Sequence, residues 1–195
     1  MDPFEILVEA HRPALKGVLA RLVDIFRAHD VRYVIGGASA LSLYVRPRMT
    51  VDIDAFVDAA RKDELDRILA GEFEVVHIGG FHSKFKQADV EIDIRYAGAS
   101  AEDFALADAR DAAILGTKLK AASPEALLWL YLVSEKELNF FDAVELIRSV
   151  PGLDLALVRR QLERHDPARL AKLEKMLATA REPVISYEAS RARRS

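Results

Sequence analysis

Cysteine is absent from the 195 residues. That excludes a disulfide framework and any thiolate metal centre, and it fits a reducing compartment. Long hydrophobic runs are missing too. The longest strongly apolar stretch, residues 126–133, falls far short of the roughly 20 residues that a membrane-spanning helix needs. The first residues, MDPFEILVEAHRP, carry acids early and no signal-type apolar segment. Charge of one sign is not in excess: 28 Lys and Arg against 31 Asp and Glu leave a net charge of -3, which argues against a strong, non-specific nucleic-acid binder. The five histidines have no metal-ligand spacing; His77 and His82 merely flank a Gly-Gly pair, so the pattern holds no zinc site. Internal repeats and low-complexity segments are also lacking. The expectation is a soluble, cytoplasmic chain with no membrane partner, long enough for one domain or a small domain with a helical appendage.

What is present centres on residues 33–58, YVIGGASALSLYVRPRMTVDIDAFVD. A short apolar strand over 31–35 leads to Gly36 and Gly37, then to a segment of helical spacing over 38–45. A basic, Pro-containing turn at 46–48 precedes a second strand over 51–57. On that strand Val51, Ile53 and Ala55 share one face, and Asp52 and Asp54 share the other, because side chains two apart on a strand point the same way. Two carboxylates held side by side repel, and a divalent cation is the usual compensation. A glycine pair at a strand-to-helix turn lets backbone approach a ligand and presents N–H groups to an anion, with the Ser39 hydroxyl nearby.

The remaining chain alternates between strand and helix patterns up to residue 122. Residues 4–29 read as amphipathic helix, with Pro13 beginning or kinking the longer part. Residues 61–69 form a charged amphipathic helix ended by Gly71. A Gly-Gly hairpin joins strands over 73–78 and 81–86, and a strand over 90–96 follows. There Val90, Ile92 and Ile94 alternate with Glu91, Asp93 and Arg95. Glu91 and Asp93 both face away from the apolar side, and Asp93 aligns better with the Asp52 and Asp54 strand. Lys84 and Lys86 alternate with Phe81, Phe85 and His82 on the hairpin, which reads as an ordinary exposed face ahead of a triphosphate grip. Residues 97–109 form a loop or short helix, and 112–115 with 118–121 a second hairpin.

From Ser123-Pro124-Glu125, an N-cap followed by proline and an acidic first turn, the pattern becomes helical: 124–134, 138–149, 153–164 and 167–181. Trp129, Tyr131, Phe140 and Phe141 read as core or groove lining. The organisation expected is residues 1–122 as an α/β core, 123–183 as a helical region and 184–195 as a polar, disordered tail.

The pattern GGASAL, then RPRMTVDIDAFV, then VEIDI resembles the nucleotidyltransferase fold of the DNA polymerase β superfamily. Within it the chain is most similar to the AbiEii-type minimal nucleotidyltransferases of toxin–antitoxin and phage-defence systems. Aminoglycoside and lincosamide nucleotidyltransferases are similar over the same stretch. The resemblance implies an α+β fold, with a small mixed sheet flanked by helices and a C-terminal helical bundle. It implies triphosphate contacts from Gly36, Gly37 and Ser39, and matches Arg48 and Thr50 to the family's Arg-x-Thr. It implies that Asp52, Asp54 and Asp93 hold two Mg²⁺ ions, with Asp93 also serving the acceptor hydroxyl. The implied activity is transfer of a nucleoside monophosphate from an NTP to RNA, a tRNA end, a protein or a small molecule, with a cognate toxin or antitoxin as partner. Tyr131 stands where the family's helix carries lysine, followed by Lys136 and Asn139, with Asp142 kept. That departure motivates the alternative of an inactive nucleotide-binding or partner-binding module.

Overall fold

The computed structural model describes residues 3–11, 13–48, 50 and 52–183. Val51 and the tail from 184 onward therefore lie outside the described residues. Two helices open the chain: α1 (Pro3–His11) and α2 (Pro13–Ala28). Leu15, Val18, Leu19, Leu22, Val23 and Phe26 repeat at helical spacing on α2, and all are buried. The strands β1 (Tyr33–Ile35), β2 (Asp52–Asp58), β3 (Glu74–Ile78), β4 (His82–Gln87), β5 (Val90–Ala97), β6 (Arg110–Ile114) and β7 (Thr117–Ala121) form one sheet in the order β3-β4-β5-β2-β1-β7-β6. The β2–β5 and β1–β7 pairs are parallel and the other four antiparallel, so the sheet is mixed. Between the strands lie α3 (Gly37–Leu41), α4 (Lys62–Glu72) and α5 (Ser100–Ala107). The chain then continues as α6 (Pro124–Val133), α7 (Glu137–Ser149), α8 (Leu155–His165) and α9 (Leu170–Arg181). The architecture is α+β, a mixed sheet with helices followed by a helical region, as the family resemblance implies.

Local chemistry explains the joints. Ser123 Oγ accepts the Ala126 N–H at 3.0 Å and Pro124 opens α6, the N-terminal signature legible in the sequence. The β3–β4 hairpin turns at Gly79-Gly80, with the Gly79 N–H bonded to the His82 carbonyl at 2.9 Å. The β6–β7 hairpin turns on Leu115 and Gly116, both at positive φ (51° and 76°), the geometry that two-residue hairpin turns demand. Two sequence expectations shift. The helix after the glycine pair stops at Leu41, because the chain tightens there: the Leu43 and Tyr44 amides bond three residues back, and the Tyr44 hydroxyl reaches the Ala122 carbonyl at 2.9 Å. Gly71 does not end α4. It sits within the helix, and buried Phe73 turns the chain into β3.

The core is one cluster that takes in α2, β2, β5 and α6. It includes Phe26, Ile53, Ala55, Ile92, Ile94, Leu127 and Trp129. β2 therefore buries Ile53 and Ala55 and turns Asp52 and Asp54 the other way. On the core side of β5, the Tyr96 hydroxyl donates to Asp66 on α4, and Lys62 Nζ pairs with the same carboxylate and lies 5.1 Å from the Tyr96 ring centroid. Burial and the Asp66 charge raise the Tyr96 pKa well above that of a free tyrosine. This knot fastens α4 to the strand that carries Asp93. No described helix is long and apolar enough to cross a membrane.

Asp66→Ala strands the half-buried Lys62 ammonium and the buried Tyr96 hydroxyl. Chemical denaturation is expected to show a loss of about 2–3 kcal/mol of stability. An unchanged denaturation midpoint would mean that the knot contributes nothing.

Candidate active site

The parallel β2–β5 register sets Asp54 directly beside Asp93, and Asp52 beside Glu91. Asp52, Asp54 and Asp93 each bring a carboxylate oxygen within 4.8 Å of the others. Asp93 rather than Glu91 completes the cluster. Asp93 is buried, whereas the Glu91 side chain is half exposed and turns to Lys84 Nζ at 3.3 Å. The set is three hard oxygen donors with no nitrogen or sulfur, the chemistry that suits Mg²⁺ and similar cations.

Crowding shows in the protonation of the central group. Burial, followed by the charges of Asp52 and Asp93, pushes the Asp54 pKa from 3.8 up to about 6, while Arg95 and Lys136 pull the other way. Each outer carboxylate has its own support. The Thr50 hydroxyl donates to Asp52 Oδ1. Asp93 Oδ1 accepts His82 Nε2–H at 2.8 Å and lies 3.4 Å from Lys84 Nζ.

The glycine pair has a structural cause that sequence reasoning did not supply. Gly37 sits at φ +55°, and a Cβ there would fall 1.9 Å from Asp54 Oδ2. The carboxylate leans over the bare Cα, so no larger residue fits. At Gly36 a Cβ would fall 2.5 Å from the Phe56 ring. The turn is closed from the other side by Tyr131, whose hydroxyl donates to the Gly37 carbonyl at 3.2 Å. Burial and the nearby Asp142 and Asp54 charges raise the Tyr131 pKa far above the ordinary tyrosine value, so the phenol stays neutral.

A cavity of about 710 Å³ opens beside the cluster. Gly37, Ala38, Arg48, Thr50, Asp52 and Asp54 line it from the sheet side, and α6, α7 and the loop between them line it opposite. Arg95 and Lys136 add positive charge, and Phe56, Leu130, Val133 and Leu138 add an apolar patch. Arg48 grips Asp142 on α7 with two parallel bonds, Nε to Oδ1 at 3.0 Å and Nη2 to Oδ2 at 2.7 Å. Ser39 is 2 % exposed on the five-residue α3 and is not among the residues lining the cavity.

Of the residues singled out in the sequence, the structure thus gathers Gly37, Arg48, Thr50, Asp52 and Asp54 around one cavity and sets Asp93 against the two aspartates. Gly36 is packed under Phe56 and Ser39 is buried behind the turn. His82 and Arg95 are partners that the sequence did not single out, and Lys84, read there as an exposed face or a triphosphate grip, lies against Asp93. Period-two alternation places 82 and 84 on one face of β4, but only the β4–β5 register, Lys84 beside Asp93 and His82 beside Arg95, shows which face it is.

No protein-family model matches the sequence, and no curated protein matches it. Solved structures do. The solution structure of the antibiotic-resistance factor ANT(2'')-Ia superposes with a TM-score of 0.61 at 19% identity, covering 86% of this chain and 98% of that one. The fold is that of the nucleotidyltransferases. The lincomycin-bound lincosamide antibiotic adenylyltransferase LnuA matches at a TM-score of 0.51 and 18% identity, over 68% of this chain and 96% of that one. A nucleotidyltransferase-like protein from Paracoccidioides brasiliensis gives 0.52 and 21%, over 87% and 92%. The nucleotidyltransferase fold here carries an acidic triad, two of whose members, Asp52 and Asp54, line the cavity.

The folded chain holds the Asp54 proton above the ordinary carboxylate range, so ionising it works against folding. Its contribution to stability is present below the unfolded pKa of 3.8 and is lost as pH rises through about 6. In EDTA, Asp54→Asn is expected to stabilise the protein by about 1–2 kcal/mol near pH 7, and by nothing near pH 4. Urea denaturation at both pH values measures this. An equal effect at the two would rule out charge crowding as its cause.

Proposed function

We propose that this chain is a Mg²⁺-dependent nucleotidyltransferase, which moves a nucleoside monophosphate from an NTP to an acceptor hydroxyl. The observation that carries the reading is the convergence of Asp52, Asp54 and Asp93 beside a cavity sized for a nucleotide, on a fold shared with adenylyltransferases. Residues 1–122 supply the carboxylates in this reading, and the helices of 123–183 supply the opposite wall.

The three carboxylates would hold the metal, two ions in the full site. Ions bound there would supply Lewis-acid stabilisation of the charge on the phosphoryl group. The chain's own groups do the rest. The Gly37–Ala38 backbone lines the space for the triphosphate, and Arg95 and Lys136 face its charge. The apolar patch around Leu130 and Leu138 takes the base. Asp93, oriented by His82 and Lys84, takes the proton of the acceptor hydroxyl. The new bond joins the acceptor oxygen to the α-phosphorus, the α–β bridging bond breaks, and pyrophosphate departs with its electron pair. Gly36 and Ser39 support the turn from behind, Thr50 orients Asp52, and Arg48 ties the turn before β2 to α7.

The acceptor class follows from the sequence resemblance and the neighbours rather than from the cavity's charge, which mixes Asp52, Asp54 and Glu102 with Arg95 and Lys136. RNA and proteins are the acceptors by resemblance to AbiEii-type enzymes, with a cognate toxin or antitoxin as partner. A small molecule is the acceptor by likeness to ANT(2'')-Ia, whose structure has been solved with adenylyl-2''-tobramycin. A specific observation favours one second reading, a nucleotide-binding module without turnover: neutral Tyr131 occupies the cavity wall where the resemblance implies a lysine.

Incubation with each labelled NTP plus RNA, protein extract or an aminoglycoside and lincosamide panel tests both readings. Label is expected in one pool with pyrophosphate release. Asp52→Ala and Asp54→Ala are each expected to lower release by about 10³-fold or more. Full turnover in either variant would exclude the site. Tight Mg²⁺–NTP binding without release from any acceptor would favour the module.

A further inference from the structure

Eight of the seventeen residues lining the cavity come from positions 130–139, the end of α6, the start of α7 and the loop between them. Loops drift unless something holds them. α6 stops at Val133, and its last carbonyls have no partner within the helix. The partner comes from α9, which lines no part of the cavity. Lys172 Nζ donates to the carbonyls of Tyr131 at 3.3 Å and Leu132 at 3.0 Å, and also to that of Ser134. A cation at this point also meets the negative end of the α6 dipole. Burial lowers the pKa of Lys172 below that of a free lysine. Arg169 adds a second hold, Nη1 to Glu135 Oε1 at 2.6 Å.

Ser134 passes the constraint on. Its hydroxyl accepts the Lys136 N–H at 3.2 Å and Asn139 Nδ2–H at 2.7 Å. Lys136 in turn is close enough for its charge to act on Asp54. A chain of bonds therefore runs from α9 through Ser134 to two polar groups of the cavity wall. It ends at one of the two cations, Arg95 and Lys136, that act on Asp54.

We propose that Lys172 is a positioning residue for the nucleotide, which sets the 134–136 loop so that Lys136 and Asn139 face the triphosphate site. It touches neither substrate nor metal and acts through three backbone carbonyls. The proposal rests on the nucleotidyltransferase reading and gives the C-terminal helices a task in binding that their distance from the triad hides.

Calorimetric titration of the full-length protein with each of the four Mg²⁺–NTPs, and separately with Mn²⁺ alone, tests it. Lys172→Met is expected to weaken binding of the preferred NTP about tenfold, with Mn²⁺ affinity unchanged and KM moved more than kcat. A purely structural lysine would lower Tm and leave NTP affinity, measured well below that Tm, at the wild-type value. That result overturns the proposal. Should Lys172→Met not fold, Lys172→Arg carries the same test. Arginine keeps the charge but cannot place one nitrogen among three carbonyls, so about threefold weaker binding is expected and equality with wild type is refuting. NTP binding absent from the wild-type protein would overturn the functional reading itself. Equal binding by wild type and variant overturns this inference alone.

Discussion

Asp52, Asp54 and Asp93 are forced together by the parallel pairing of β2 with β5, and most of the local structure answers the repulsion that results. Parallel pairing in this register leaves no freedom: Asp54 must lie beside Asp93, and Asp52 must share its face. The strain is held because both strands bury their other faces in the core, with Ile53, Ala55, Ile92 and Ile94 fully enclosed. A one-residue slip of β2 would part Asp54 from Asp93 but turn Ile53 and Ala55 out of the core and the aspartates into it. Burial outweighs repulsion, and the site exists because of that imbalance.

The chain then manages the charge unevenly. Asp93 has His82 and Lys84 on one oxygen, and Asp52 has the Thr50 hydroxyl. Asp54 has no such hydrogen-bonding side chain among the described contacts, and its oxygen presses on the bare Cα of Gly37. Burial and the two neighbouring carboxylates push its pKa up to about 6. A divalent cation placed among the three would offset that crowding. The helical region contributes from the far side. Arg48 and Asp142 tie the turn before β2 to α7, Tyr131 closes on Gly37, and Lys172 secures the end of α6. The cavity is a joint product of sheet and helices, held by polar contacts across more than ninety positions of sequence for the Arg48–Asp142 and Tyr131–Gly37 pairs.

Much of the fold was legible because its elements carry strong local signals. Period-two alternation in VDIDAFV and VEIDI marks the two central strands, the Gly-Gly pair marks the hairpin, and Ser123-Pro124 marks the start of α6. Where local signals misled, a longer-range contact won. Gly71 reads as a helix stop, yet the burial of Phe73 sets where α4 gives way to β3. Residues 38–45 have helical spacing, yet the chain tightens after Leu41 and Tyr44 bonds to Ala122. Lys84 and His82 read as a solvated face, because alternation reveals that two side chains share a side but not what lies across from them.

By itself the sequence determined which side chains point together along each strand, where helices begin, and that acidic groups alternate with core residues on two strands. Those are consequences of covalent spacing and backbone geometry, and they hold wherever the strands lie. Tertiary structure alone decided that β2 and β5 are neighbours in a register that pairs Asp54 with Asp93. It also decided that the Asp54 carboxylate is pressed against the bare Cα of Gly37, and that a lysine on the last helix bonds to the carbonyls that end α6. Register, burial and carbonyl orientation depend on how distant segments meet, and no local pattern encodes them.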